Sequence, residues 1–300
     1  MSFIFLQMQW KKANNIEKLK GCTMELKKTN LKFTMYGGLA GLERVDKGYG
    51  IRTGTTASGQ EYKACKFDVI IDKANKYKIP CDIFGSVRST IYYLDRAEHK
   101  TKTAPWEERF ELASDDTNYV FPQPYDAAVN VEMASDGDFF KLYGDVTPTT
   151  FEKNDKSYVA YKFNPTEANE LDYEHDYGCY LTGDFIFAEV RGDNIHGFVV
   201  DYKKQMFAIT FKWGGDTDSL RDIKESIQFG TLCSITYGKA EMVAMGNPGK
   251  KSFGTASKDS ANPSNLRVGF VLYGLEIKNE KPYTTKDLGI YDDDDEELFD

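Results

Sequence analysis

The amino-acid sequence predicts a mainly β protein built from two tandem Greek-key barrels, with a short helix and a disordered acidic C-terminal tail. Three observations support this prediction. Apolar and polar residues alternate along several segments, one strand-turn-strand pattern occurs twice, and a chain of 300 residues is long enough for two domains. Aromatic residues make up 14% of the chain, which favours strands because flat side chains pack well on a pleated surface.

The internal repeat is the pattern Y-G-x-x-T-x-T-T, followed by a loop and then Y-x-A-x-K-F. It starts at Tyr49 in the first copy and at Tyr143 in the second, where the loop is longer. Each copy is typical of two strands joined by a polar turn. The repeat therefore predicts two similar units in series, at residues 24–140 and 141–285.

The second unit shows the elements of one barrel most clearly. Apolar residues alternate from Phe207 to Trp213, which is the period of a half-buried strand. A helix is predicted over 216–229, with Asp216 or Asp218 as its N-cap. Further strands are predicted at 183–190, 197–202, 231–244 and 267–277. Five strands with a helix before the fourth are typical of the oligonucleotide/oligosaccharide-binding (OB) fold.

The first unit is less regular in sequence. Strands are predicted at 76–84 and 89–95, and 103–128 is interpreted as an insertion with helical character. The glycine-rich segment Gly37–Gly41 is predicted to be a loop.

The N-terminal segment and the cysteines indicate in which cellular compartment the protein is located. Residues 1–23 differ in composition from the rest of the chain and are interpreted as an N-terminal extension. They lack the basic region and cleavage site of a secretory signal. The five cysteines form no C-x-x-C pair, which excludes a zinc ribbon and predicts reduced thiols. We therefore expect a cytoplasmic protein with no membrane partner.

Charge is unevenly distributed along the chain. The net charge is −9, yet residues 24–102 contain 15 Lys and Arg against 9 Asp and Glu. Residues 292–300 contain seven acids and no base. A basic segment combined with a separate acidic tail indicates an interaction protein, because the two segments attract different partners.

The repeated Y-x-A-x-K-F strand supplies the first candidate contacts. Alternation places Tyr62 and Lys66 on one strand face, and Tyr158 and Lys162 on the matching face of the second copy. An aromatic ring beside an ammonium group suits single-strand binding, in which bases stack and phosphates are neutralised. The alternative is an ordinary solvated strand face. Other bases and aromatics cluster in the first unit, and the predicted nucleic-acid contacts are Tyr62, Lys66, Lys73, Lys76, Tyr77, Lys78, Arg88, Tyr92, Tyr158 and Lys162.

The acidic tail, predicted from residue 286, is the second candidate site. Its composition cannot form a core, and an apolar tip after an acidic run offers a partner both an anchor and electrostatic steering. The predicted partner-binding residues are Asp292, Asp293, Asp294, Asp295, Glu296, Glu297, Leu298 and Phe299. The alternative is a tail that only increases solubility.

A barrel with outward aromatics and lysines, followed by an acidic tail with Phe near its end, resembles the single-stranded DNA-binding proteins of bacteria and their phages. The resemblance implies strand binding by the barrel and recruitment of replication or recombination proteins by the tail. If a phage encodes the chain, it implies a location in the host cytoplasm. In those families Phe is typically the last residue, whereas Asp300 follows Phe299 here.

Two other classes of function are weighed against this one. The chain is interpreted alternatively as a structural or carbohydrate-binding β protein, such as a virion component. A metal-dependent nuclease would need the segment 172–176, with Asp172, Glu174, His175 and Asp176, to bind a cation. No sequence motif of a common enzyme class occurs, so we expect no catalysis, no cofactor and no metal.

Overall fold

The computed structural model describes residues 25–74, 76–153, 156–244, 266–278 and 281–290. The predicted N-terminal extension and the tail from residue 291 onward lie outside these residues. The strands are β1 Leu31–Ala40, β2 Gly50–Thr55, β3 Glu61–Asp72, β4 Tyr77–Ser86, β5 Thr90–Asp95, β6 Lys100–Pro105, β7 Asn118–Val120, β8 Phe139–Lys153, β9 Lys156–Glu170, β10 Gly178–Arg191, β11 Asn194–Val200, β12 Met206–Trp213, β13 Leu232–Ala244 and β14 Leu266–Ile277. The helices are α1 Arg109–Ser114, α2 Pro124–Glu132 and α3 Thr217–Ser226, with 3-10 turns at Val45–Lys47 and Trp106–Glu108.

Five strands close into a first barrel in the order β1-β8-β9-β4-β3, with β1 pairing back to β3. Strands β4 and β9 run parallel, with Cys81 opposite Phe163, and the other pairs for which register is defined are antiparallel. Helix α2 comes between the third and fourth barrel strands. This order is that of the OB fold, and β2 extends the sheet beside β3.

The first barrel is filled by the inward side chains of its strands. Phe33, Met35, Phe67 and Leu142 are fully buried, and Phe33 meets Phe163 edge to face at 5.3 Å between ring centroids. Alternation along each strand produces this core, because every second residue points inward.

Closure of the first barrel depends on glycine in β1. Gly37 and Gly38, predicted to lie in a loop, are strand residues where β1 pairs with both β8 and β3. A Cβ on Gly37 would lie 2.1 Å from the carbonyl oxygen of Ile70, so only glycine allows β3 to approach. The prediction of a loop is wrong here because the glycines serve close backbone packing rather than a turn.

The second barrel repeats the same strand order. Its strands follow the sequence β11-β12-β14-β13-β10, β11 pairs back to β10, and β12 runs parallel to β14. Helix α3 lies between the third and fourth strands in sequence. Its N-cap Asp216 accepts a hydrogen bond from the backbone N–H of Ser219 at 2.7 Å, which confirms the predicted helix start. The predicted fold class, mainly β with tandem barrels, is confirmed.

The two repeat copies form hairpins β2–β3 and β8–β9, and both hairpins belong to the first barrel. The Cα positions define one unit from 32–181 and 239–269, and another from 1–31, 182–238 and 270–300. The predicted division between 24–140 and 141–285 does not coincide with this one, because residue 140 lies within β8.

Residues between β4 and α2 form an insertion that begins earlier than the predicted 103–128, because the predicted strand 89–95 belongs to it as β5. Strands β6, β5 and β7 make a separate three-stranded sheet, and α1 accounts for the predicted helical character. A small core of Ile91, Ala104 and Trp106 supports this sheet. No helix among the described residues is both long and apolar enough to cross a membrane.

We predict that Gly37→Ala destabilises the protein by about 1–3 kcal/mol, because the added methyl group collides with the β3 backbone and strains barrel closure. Urea unfolding monitored by circular dichroism measures the change. Gly38→Ala is the matched control, since its Cβ would meet nothing closer than 3.5 Å. Equal stabilities of the two variants would contradict this account of the closure.

The described cysteines Cys65, Cys81, Cys179 and Cys233 are free and buried. Burial raises the pKa of the Cys65 and Cys233 thiols to about 12, and it also raises the pKa of Cys81 and Cys179. A higher thiol pKa leaves less thiolate at neutral pH, so these side chains are poor nucleophiles.

We therefore expect the four buried thiols to resist a thiol-specific disulfide reagent until the protein unfolds. The Cys22→Ser variant isolates them, because Cys22 lies outside the described residues. Labelling in denaturant provides the control in which all four react. A thiol of the folded variant that reacts as fast as in denaturant would show that its burial is transient.

Candidate functional site

The outer face of β3 and β4 carries the candidate site. Tyr62, Ala64 and Lys66 on β3 lie directly opposite Ser86, Phe84 and Asp82 on β4. Directly opposite residues in an antiparallel pair point to the same side of the sheet. These six residues therefore form one surface, which we call the β3–β4 face.

An aromatic pair, half-buried Tyr62 and exposed Phe84, lies at the centre of the β3–β4 face. The rings of Tyr62 and Phe84 lie 5.3 Å apart with an interplanar angle of 31°, and Phe84 is 60% exposed. A Cβ on Gly54 of β2 would lie 2.9 Å from the Tyr62 ring, so that ring rests on the glycine backbone. Tyr62 is held in place from below, while Phe84 offers an aromatic surface to solvent.

Cations without carboxylate partners surround this pair. Arg52 of β2 lies opposite Ala64, and Lys162 of β9 is exposed on the far side of β4. Among the described residues, neither these two nor Lys66 forms an ion pair. Several basic side chains elsewhere do form ion pairs, as Lys63 does with Glu132 at 2.6 Å. The free cations are therefore available to a ligand.

Lys66 also borders a polar cluster at the end of the face. Its Nζ lies 5.2 Å from the centre of the Tyr49 ring, and Arg44 lies over the same ring at 4.2 Å. The buried carboxylate of Asp68 accepts hydrogen bonds from Arg44 at 2.6 Å and from the Tyr49 hydroxyl at 3.2 Å. Burial first, and then nearby Asp68, raises the pKa of Tyr49, so its hydroxyl stays protonated. These contacts hold the Tyr49 ring in place, and Lys66 lies near that ring.

A groove of about 250 Å³ opens beside Phe84, between β4, β9 and the start of α2. Its lining combines an aromatic ring, a cation, a carboxylate and an amide. The lining residues are Asp82, Phe84, Pro124, Lys162, Asn164, Pro165 and Thr166. Asn164 is held by a hydrogen bond from its Nδ2 to Thr147 Oγ1 at 2.6 Å. The groove thus has a rigid polar wall next to an exposed ring.

Part of the outer face of β11 and β12 in the second barrel is covered by its own chain, whereas Thr210 and Lys212 on the same face are exposed. Phe198 and Val200 of β11 are buried in a cluster with Tyr283 and Leu288. The segment 281–290, whose last residues were predicted to begin the acidic tail, packs here instead of leaving the fold. Its apolar contacts cover the end of this face that lies next to the β11–β12 turn.

The structure brings together only some of the predicted contact residues. Tyr62, Lys66 and Lys162 lie on or beside the β3–β4 face, and Lys78 is exposed on the same side of β4 as Phe84. The side chain of Tyr158 lies outside the described residues, as do the tail residues from Asp292 to Phe299.

The other predicted residues lie away from this face. Lys73 binds both carboxylate oxygens of Glu174 at 2.7 Å, while Lys76 and Tyr77 sit at the β3–β4 turn. Arg88 follows β4, and Tyr92 belongs to the three-stranded sheet. Their roles as nucleic-acid contacts stay predictions.

Phe84 and Arg52 are the residues that sequence reasoning missed. In the segment Tyr77–Ser86, Ile79, Cys81 and Ile83 point inward, so strand alternation assigns Phe84 to the outer face. A large aromatic residue on the polar side of a strand was therefore a readable signal. The sequence around Arg52 gives no such signal, because strand pairing decides which residues of the adjacent strand lie beside Arg52.

The segment 172–176, which a metal-dependent nuclease would need for its cation, is engaged in other contacts. Glu174 binds Lys73, and the His175 ring stacks on Tyr36 at 4.2 Å with an interplanar angle of 18°. Within the part of the chain that the structure describes, no group of three or more His, Cys, Asp or Glu residues is placed to hold a metal ion.

Comparison with known proteins gives structural likenesses at low sequence identity. No protein-family model and no curated protein matches the chain. The wild-type single-stranded DNA binding protein from Thermus aquaticus matches with a TM-score of 0.40 and 8% identity, covering 86% of this chain and 97% of that one. A deletion mutant of the same protein matches with a TM-score of 0.39 and 7% identity, covering 85% and 97%. A likeness at this level carries no argument about function.

Proposed function

We propose that the chain binds single-stranded DNA on the β3–β4 face of the first barrel, without catalysing a reaction. One observation carries this proposal. An aromatic pair, half-buried Tyr62 and exposed Phe84, is surrounded by Arg52, Lys66 and Lys162, none of which is ion-paired within the described residues.

The chemistry of this face matches that of an unpaired strand. A base stacks on an aromatic ring whatever its sequence, and cations neutralise the phosphates on either side of it. Bases of a duplex are already stacked on each other, so Phe84 is useful only to a single strand. The OB topology supports the same interpretation, because in this fold the second and third strands form the usual ligand surface.

The acidic tail completes the proposal. Residues 292–299 would recruit other proteins of DNA replication or recombination, in the cytoplasm, through charge and the apolar pair Leu298 and Phe299. Segment 281–290 anchors the start of this tail on the second barrel through Tyr283 and Leu288.

We expect Phe84→Ala to weaken binding to oligo-dT by about 5- to 100-fold, because one stacked base is worth roughly 1–3 kcal/mol. Lys162→Ala should reduce the slope of log affinity against log salt by about 0.7, the value for one phosphate of a single strand. Fluorescence anisotropy with labelled oligo-dT and a matching duplex, over a salt series, measures both effects.

Tyr202→Ala and Lys224→Ala are the matched controls, since both side chains are exposed and belong to the other unit. They should leave affinity and slope unchanged. No binding to oligo-dT at low salt by the unmodified protein would reject the proposal. A structural or carbohydrate-binding β protein would then remain.

Asp82 separates nucleic-acid binding from carbohydrate binding. Its carboxylate lines the groove and repels phosphate, so Asp82→Asn should strengthen oligo-dT binding by roughly 1.5- to 5-fold. A sugar-binding groove would lose affinity instead, because carboxylates accept hydrogen bonds from sugar hydroxyls. Asp222→Asn, an exposed acid on α3, serves as the control in the same anisotropy assay.

A further inference from the structure

A second groove lies on the first barrel, on the outer face of β1 and β8. It encloses about 330 Å³. Its lining residues are Thr34, Tyr36, Tyr119, Lys141, Tyr143 and Glu167. Tyr119 belongs to β7 of the three-stranded sheet, and the other five belong to the barrel strands. We call this the β1–β8 groove.

The aromatic side chains of the groove are held by neighbours. Tyr36 stacks on His175 at 4.2 Å and meets Tyr180 edge to face at 6.3 Å. Tyr119 meets Phe121 edge to face at 5.6 Å. A ring whose orientation is fixed beforehand loses little conformational entropy when a flat ligand stacks on it. The groove therefore has preorganised aromatic walls.

The charged side chains of the groove have separate roles. Lys141 lies opposite Tyr36 and forms no ion pair with any described residue. Glu167 lies opposite Tyr143, and one of its carboxylate oxygens accepts a hydrogen bond from Asn169 Nδ2 at 2.7 Å. The other oxygen has no donor among the described residues. Burial first, and then nearby Glu167, raises the pKa of the Tyr119 hydroxyl, so it stays protonated.

A free carboxylate in an aromatic groove discriminates between bases. Aspartate and glutamate accept hydrogen bonds from the exocyclic amino group of cytosine, and thymine has no such group. A groove that combines stacking rings, one free cation and one such acceptor fits a nucleotide whose base carries an amino group.

The position of the groove connects it to the β3–β4 face. Strand β9 lies between β4 and β8 in the barrel, so the two surfaces are neighbours around it. Adjacent strands are about 4.8 Å apart, which places β1 roughly 14 Å from β4 along the sheet. One bound strand can therefore reach both surfaces by crossing β9.

We propose that the β1–β8 groove is a second subsite for the same strand, in which Tyr119 and Tyr143 stack on a base, Lys141 contacts its phosphate and Glu167 accepts from its amino group. This inference rests on the proposed function. It adds a base preference that the β3–β4 face, with its stacking contacts, does not provide.

The test compares oligo-dC with oligo-dT of about 16 nucleotides, the upper end of the site size of one such barrel, at mildly alkaline pH where cytosine is unprotonated. The unmodified protein should bind oligo-dC about tenfold more tightly, the lower range for a hydrogen bond to a charged group. Glu167→Gln should remove this preference. Tyr119→Ala should weaken oligo-dC binding by about fivefold or more.

Two controls keep the outcomes distinct. Phe84→Ala should weaken binding to both oligomers equally and retain the preference, and Phe110→Ala, an equally exposed ring on α1, should change neither. A preference for oligo-dC that survives Glu167→Gln, or no preference at all, would overturn the second subsite while leaving the proposed function intact. Failure to bind either oligomer would overturn both.

Discussion

Strand β1 pairs with β8 along most of its length and with β3 at its end, and this double pairing closes the first barrel. The close approach of β3 at Gly37 makes closure possible, because no side chain intervenes. A closed barrel has no free edge, so its backbone hydrogen bonds are satisfied internally. Every outward side chain is then left to solvent or to a ligand, and the β3–β4 face and the β1–β8 groove are both surfaces of this kind.

The two barrels share a strand order but use their outer faces differently. In the first barrel the β3–β4 face carries exposed Phe84 and cations without carboxylate partners in the described chain. In the second barrel the outer surface around Phe198 and Val200 is apolar and is covered by Tyr283 and Leu288. Burying apolar area there stabilises the fold, whereas leaving Phe84 exposed contributes nothing to stability. Single exposed apolar residues are common, but a ring flanked by free cations and a groove is a surface suited to binding.

Charge pairing explains why a chain with a net charge of −9 can still offer a basic surface. Many of the lysines and arginines are neutralised locally, as in the pairs Arg109–Asp126 and Lys102–Asp95. What a ligand meets is the charge that remains after these pairs form. The net charge of the sequence therefore says little about the charge of any one face. That local charge depends on which basic side chains have acidic partners nearby.

The sequence by itself determined the β class, the barrel type of the second unit and the helix capped by Asp216. These features are local, because alternation and capping depend on neighbouring residues. It also placed Tyr62, Lys66 and Lys162 on outward strand faces, since strand parity follows from the same alternation. The prediction of two units bounded near residue 140 rested on a hairpin pattern, and a hairpin is too small to specify which barrel it joins.

Only the tertiary structure decided which strands became neighbours. It placed Arg52, Phe84 and Lys162 around one face, although they lie on β2, β4 and β9. It also covered part of the outer face of the second barrel with a segment that looks like a linker in sequence. Strand pairing between distant parts of the chain is set by how the whole core packs, and no local pattern carries that information.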